Sequence, residues 1–131
     1  MTMPNFTISQ ITHVSFIVKD LDRALHFYCN ILGLSVKDSR PSMPFHGAWL
    51  TINQTQEIHL LELENPDPTT NRPEHGGRDR HAAFFVNNFD DLKEHLDKNE
   101  MSYTVSYSGR AALFVRDYDG NTLEFIAIPA S

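Results

Sequence analysis

Four titratable side chains interrupt runs that are otherwise apolar and extended in pattern: His13 in ITHVSF, His59 in EIHLLEL, His81 in RHAAFFV and Glu124 in NTLEFI. Burying one such group without a partner costs a few kcal/mol, so four of them call for something that satisfies them together. A divalent cation does this, because neutral imidazole and carboxylate are ligands it prefers. Three His and one Glu suit Zn, Ni, Fe, Co or Mn. A single strand histidine is more often a hydrogen-bonded core or surface residue than a ligand. What points to one divalent ion here is the placement of all four in corresponding elements of the chain.

Those elements follow from periodicity. Residues 8–18 alternate and are rich in β-branched and aromatic types, which predicts a strand. Asp20 is the expected N-cap of a helix carrying Leu21, Ala24, Leu25, Tyr28 and Leu32 at helical spacing, with Gly33 at its left-handed end. Extended runs follow at about 33–37, 46–53 and 57–64. The second half repeats the order: a strand over 81–86, a short helix capped by Asn88 or Asp90, then strands near 102–107, 111–116 and 121–128. Asp119-Gly120 marks a hairpin between the last two. The repeat is visible in the letters as well. His13-Val-Ser-Phe16-Ile-Val18 lies over His81-Ala-Ala-Phe84-Phe-Val86, and Ile58-His59-Leu60 over Leu123-Glu124-Phe125. An internal duplication of this period predicts two βαβββ modules, about 8–64 and 80–128. The segment 65–79 between them holds three of the seven prolines and reads as an exposed linker.

The rest of the composition narrows the function. At 131 residues the chain is one domain's worth. A net charge of −6 leaves little to neutralise phosphates, which argues against nucleic acid. The single cysteine, Cys29, excludes an internal disulfide and reads as a buried, inert thiol. No apolar run is long enough for a membrane span, and the N-terminal residues lack a signal-peptide pattern, so a cytoplasmic protein is expected. His26 and His95 fall on solvated helix faces, and His46 and His75 in loops, with His75 able to line the mouth of a cleft. Arg40, Arg72, Arg78, Arg80 and Arg110 are available for an anionic substrate group, Arg110 foremost because it precedes a strand that should border the cleft. Trp49, Phe45 and Tyr107 are candidates for an apolar wall. Glu62 lies near His59, but alternation puts it on the opposite face.

The runs ITHVSFIVKDLDRALHFYCNILGL, RHAAFFV and FVRDYDGNTLEFI resemble the glyoxalase, bleomycin-resistance and extradiol-dioxygenase (vicinal oxygen chelate) superfamily, from about Ile11 to Ile128. The resemblance implies an α+β fold of two tandem βαβββ modules whose curved mixed sheets enclose a metal cleft. It implies metal ligands at His13, His59, His81 and Glu124, although many glyoxalases carry Glu or Gln where His59 stands. It also implies a homodimer with a small-molecule substrate, the ligands coming from one chain or from two. The expected activity is a metal-dependent lyase or isomerase of glyoxalase I type, acting by stabilisation of an enediolate or oxyanion, with a glutathione hemithioacetal as substrate and Glu124 as base. Arg110, Trp49 and Tyr107 would contact the substrate. Thiol transferases of the fosfomycin-resistance type share two His and one Glu. They carry a phosphonate-contacting Tyr where this chain has Leu113, and no Lys lies here between Met101 and Glu124. An epimerase, an extradiol dioxygenase (those usually have four modules) and a metal-free drug binder of the bleomycin-resistance kind complete the alternatives.

Overall fold

The computed structural model describes residues 2–129. Two four-stranded sheets follow one another along the chain. The first is built from β1 (His13–Val18), β2 (Ser35–Val36), β3 (Gly47–Thr51) and β4 (Glu57–Glu62), in the spatial order β1-β4-β3-β2. The second is built from β5 (His81–Val86), β6 (Tyr103–Val105), β7 (Ala112–Arg116) and β8 (Thr122–Ala127), in the order β5-β8-β7-β6. In each sheet the first and last strands pair parallel and the other pairings are antiparallel. The order is the same in both halves, so the fold is the expected pair of βαβββ modules.

β1 is shorter than its alternation suggests. Its parallel partner β4 begins at Glu57, opposite His13, and the Glu57 amide still reaches the Thr12 carbonyl at 3.1 Å. Residues 8–11 have no strand beside them, and Ile8 and Ile11 stand exposed. The first helix, α1 (Leu21–Leu25), starts as expected, with the Asp20 carboxylate accepting from the Arg23 amide at 3.0 Å. It does not run on as one α-helix to Leu32. Residues His26–Ile31 form a wider π-helical turn, in which the Leu32 amide reaches back five residues to the Phe27 carbonyl. Gly33, at φ +78°, closes it as the sequence predicts. In the second half α2 (Phe89–Lys98) begins at Asn88 rather than Asp90. Asn88 itself is left-handed (φ +48°) and makes no side-chain cap.

Alternation decides which faces meet. Phe16, Val18, Leu50, Ile58 and Leu60 of the first sheet join Leu113, Val115 and Leu123 of the second, with Phe27, Tyr28, Ile31 and Leu96 from the helical segments, in one buried core. The halves are tied by the β7–β8 turn: the Tyr28 hydroxyl donates to Asp117, the Lys19 amide to Asp119, and the Asn121 side chain to the Ile17 carbonyl. The 65–79 segment is not simply an exposed linker. Arg72 and Arg116 both bond the Asp79 carboxylate, Arg116 also donates to the Pro73 and Gly120 carbonyls, and a 3-10 turn at Gly76–Arg78 packs on β7 and β8. With Asp79 largely buried, these partners satisfy its carboxylate and fasten the stretch to the second sheet.

Candidate metal centre

The four ligand-type residues occupy equivalent places in the two sheets. His13 faces Glu57 across the β1–β4 ladder and Ser15 faces His59; His81 faces Thr122 across β5–β8 and Ala83 faces Glu124. In both modules the second donor therefore lies two residues further along a parallel pair, on the same face as the first.

In the first sheet the donors form a column. The His13 and His59 rings stack with centroids 3.9 Å apart and planes 15° apart, and Trp49 stacks on the other face of His59 at 4.3 Å and 5°. β3 places Trp49 directly opposite His59, so cross-strand pairing produces the contact. Glu57, on the same strand face two residues before His59, lies with Oε1 2.9 Å from His59 Nε2, and its Oε2 accepts from Lys37 Nζ at 2.5 Å. The Lys37 bond, and then the His59 bond, hold the Glu57 carboxyl below its ordinary range. An ionised carboxylate only accepts, so Nε2 of His59 carries a proton and donates to Glu57.

In the second sheet Glu124 is 4% exposed, deep for a carboxylate. Its Oε1 is 3.3 Å from His81 Nε2, and its Oε2 is 3.7 Å from Arg110 Nη2. His81 Nδ1 is 2.8 Å from the Asp79 carbonyl, which can only accept. Nδ1 therefore carries a proton, and Nε2 is turned toward Glu124. Phe114 faces Glu124 across β7–β8 and meets the His81 ring edge-on at 5.0 Å. The Gly76 turn lies against Phe114 and Thr122, two neighbours of Glu124 on the same sheet.

Within one chain the structure brings His13 to His59 and His81 to Glu124, and leaves the two pairs apart. Among the described residues no three of His, Cys, Asp and Glu stand close enough to hold an ion together. A cavity of about 310 Å³ lies between the free edge of β1 and the start of β5, with Ser15, Ile17, Asp79, His81 and Asn121 in its wall; His13, His59 and Glu124 are not part of it. His13 and Ser15 on one sheet, and His81, Ala83 and Phe85 on the other, present exposed faces.

The remaining candidates separate clearly. Arg110 is beside Glu124, and Trp49 beside His59. Tyr107 is exposed and lies tilted against His75 at 4.4 Å, while His75 caps the 3-10 turn and its Nε2 bonds the Val105 carbonyl. Arg72 is bound to Asp79 and Arg80 to Asp67, and Arg40 bonds the Phe45 carbonyl. Glu62 does face away from His59, and accepts from the Leu21 amide at the start of α1. Leu113 is fully buried in the core, so the residue that β7 turns toward Glu124 is Phe114. Cys29 is half-buried, and burial raises its thiol pKa. Glu57 and Lys37 are the residues that sequence reasoning passed over. Strand alternation from His59 would have found Glu57, whereas Lys37 comes from β2's far end and left no local signal.

The model of the Glyoxalase/Bleomycin resistance protein/Dioxygenase superfamily matches residues 10–125. The chain is 29% identical to the uncharacterized protein YaeR of Escherichia coli K12 over 124 residues, covering 89% of this chain and 95% of that one. It is 26% identical to Glyoxylase I 4 of Arabidopsis thaliana over 122 residues, 89% of this chain and 70% of the relative. Its backbone superposes with a TM-score of 0.72, at 20% identity and over 94% and 95% of the two chains, on a mutant of the fosfomycin resistance protein FosX from Listeria monocytogenes, solved with Mn(II) and 1S,2S-dihydroxypropylphosphonic acid. With a family model spanning nearly the whole sequence and the tandem βαβββ architecture in place, this chain belongs to the glyoxalase, bleomycin-resistance and dioxygenase superfamily.

Proposed function

We propose that the chain is a divalent-metal enzyme of glyoxalase I type, a lyase or isomerase that works as a homodimer. One observation carries the reading: His13/His59 and His81/Glu124 hold the same register positions in two equivalent sheets, yet the two pairs stand apart within one chain, with His13 and His81 at the exposed end of each pair. A second copy that lays its second module beside the first module of its partner would close the centre. The donor set fits a borderline divalent ion, and the buried Glu124 carboxylate, with Arg110 and His81 beside it, fits a ligand or a base.

An ion held there would supply Lewis-acid stabilisation of negative charge developing on a substrate oxygen, worth several kcal/mol. The chain's own residues do the rest. Glu124 takes a proton from the carbon next to the substrate carbonyl, and its low exposure keeps water from competing for it. His81 is held by the Asp79 carbonyl with Nε2 on the Glu124 side. Arg110, 59% exposed at the rim, binds an anionic arm of the substrate, such as a carboxylate of a glutathione hemithioacetal. Phe114 and Trp49 give the reacting end apolar walls.

The test is purification without chelators, metal analysis, sedimentation with and without the metal, and a turnover screen on glutathione hemithioacetals. We expect one divalent ion per chain, a dimer, and isomerisation of the hemithioacetal. A monomer that retains no stoichiometric ion would sink the reading, whatever the screen returns.

A further inference from the structure

Neutral imidazole donates from a lone pair in the ring plane, so a ligated ion must lie close to that plane. The His13 and His59 planes, 3.9 Å apart and tilted by 15°, meet only at roughly 15 Å, against a nitrogen–zinc bond of about 2.0–2.1 Å. In this arrangement the two rings cannot share an ion. Three contacts hold His59 as it stands: Trp49 against one face, His13 against the other, and Glu57 on Nε2, with Glu57 in turn held by Lys37. His59 is 12% exposed in its side chain, so it has little room to turn. No comparable restraint holds His13: among the described residues its polar contact is that of Nδ1 with the Thr12 hydroxyl next door, and Nε2 is open.

We propose that His59 is a positioning residue and not a metal ligand: the Lys37–Glu57 pair and Trp49 fix its ring, and the ring in turn fixes the plane of His13. The inference rests on the metal-centre reading and narrows it to His13, His81 and Glu124. Three protein donors would leave such an ion more open to substrate oxygen than four would. It also makes Glu57 the chain's means of choosing between the two, since removing that carboxylate frees Nε2 and releases the ring.

Zinc affinity of the full-length protein, measured by chelator competition, separates the roles. His13→Ala should lose well over a hundredfold. His59→Ala, which removes the stack, should lose about 10- to 100-fold, the range for groups that orient ligands. His59→Phe, which restores a flat ring without a donor, should return to within about threefold of the wild type. If His59→Phe binds as poorly as His13→Ala, His59 is a ligand and the proposal is overturned; if His59→Ala binds like the wild type, the positioning role is overturned. Nitrogen-15 spectra of the zinc-loaded wild type give the same answer without any substitution. His59 should show a protonated Nε2 and an unmetallated Nδ1, and a metal-shifted His59 nitrogen overturns the proposal. Failure of the wild type to bind zinc would instead remove the metal centre itself, and this inference with it.

Discussion

The Tyr28 hydroxyl donates a 2.7 Å hydrogen bond to the Asp117 carboxylate, and it does so across the boundary between the two halves, 89 residues apart and fully buried. Asp117 also accepts from the Asp119 and Asn121 amides and from the Asn121 side chain. Removing the phenol hydroxyl leaves one carboxylate oxygen short of a partner inside the core. Tyr28→Phe should therefore lose about 1–3 kcal/mol of stability, read from urea unfolding.

The same carboxylate sets a pH trend. Burial holds Asp117 above its ordinary range, outweighing the hydrogen bonds that favour its charge. The folded state thus binds the proton more tightly than the unfolded state does. Its contribution is greatest below the unfolded value near 4 and is lost as pH rises through the raised folded value. Asp117→Asn should flatten the stability profile in that window, and a profile as steep as the wild type's would count against the assignment.

Asp79 acts in the opposite direction. Hydrogen bonding to Arg72 is the largest cause holding its carboxyl far below the ordinary range, with Arg116 adding to it. Its contribution is complete above the unfolded value near 4 and disappears as pH falls through the folded one. Asp79→Ala should cost about 3 kcal/mol at pH 7, the low end for buried pairs because both arginines are partly exposed. Asp79→Asn should lose most of the wild type's acid sensitivity below pH 4.

Gly76 packs against two neighbours of the buried carboxylate, Phe114 and Thr122. A Cβ built there would lie 2.6 Å from Phe114 Cβ and 3.0 Å from Thr122 Cγ2, both of which have little room to retreat. Gly76→Ala should destabilise by about 1–3 kcal/mol and raise the exposure of Glu124, measurable as lower Tm and weaker ion binding together.

At the centre itself Arg110 and Glu124 should separate kinetically. Arg110→Ala removes binding common to ground and transition state, so KM for an anionic substrate should rise about tenfold with kcat little changed. Glu124→Gln removes the proton acceptor, and kcat should fall by about 10²- to 10⁴-fold. Equal losses in kcat from both variants would contradict the roles given to them.

The repeated order of strands and helices was readable because alternation and helical spacing are local, and because His13 and His81 open strands of the same pattern. What the sequence could not show depended on neighbours. The strand signal in residues 8–12 is real, but among the described residues it finds no partner strand beyond the Thr12 carbonyl. The linker looked solvated because its charges are visible in the letters while Arg116, which captures Asp79, is 37 residues away. Leu113 and Phe114 differ by one residue, and register alone decides that the second faces Glu124. The stacking of His13 on His59 is likewise a matter of side-chain rotation across two strands, which no spacing specifies.

The β7–β8 turn has a practical consequence. A short Asp-Gly hairpin between two strands is ordinarily where an engineer would splice in an epitope or a fluorescent label. Here Asp117, Tyr118, Asp119 and Asn121 each reach into the first half, bonding Tyr28, Arg23, Lys19 and the Ile17 carbonyl in turn. Gly120, at φ +85°, leaves only 3.0 Å between an added Cβ and the Thr69 carbonyl. Lengthening that hairpin would pry the halves apart as a wedge does, so a tolerant insertion point must be sought elsewhere, for example in the Asn53–Gln56 turn, whose side chains, among the described residues, bond one another and their own backbone.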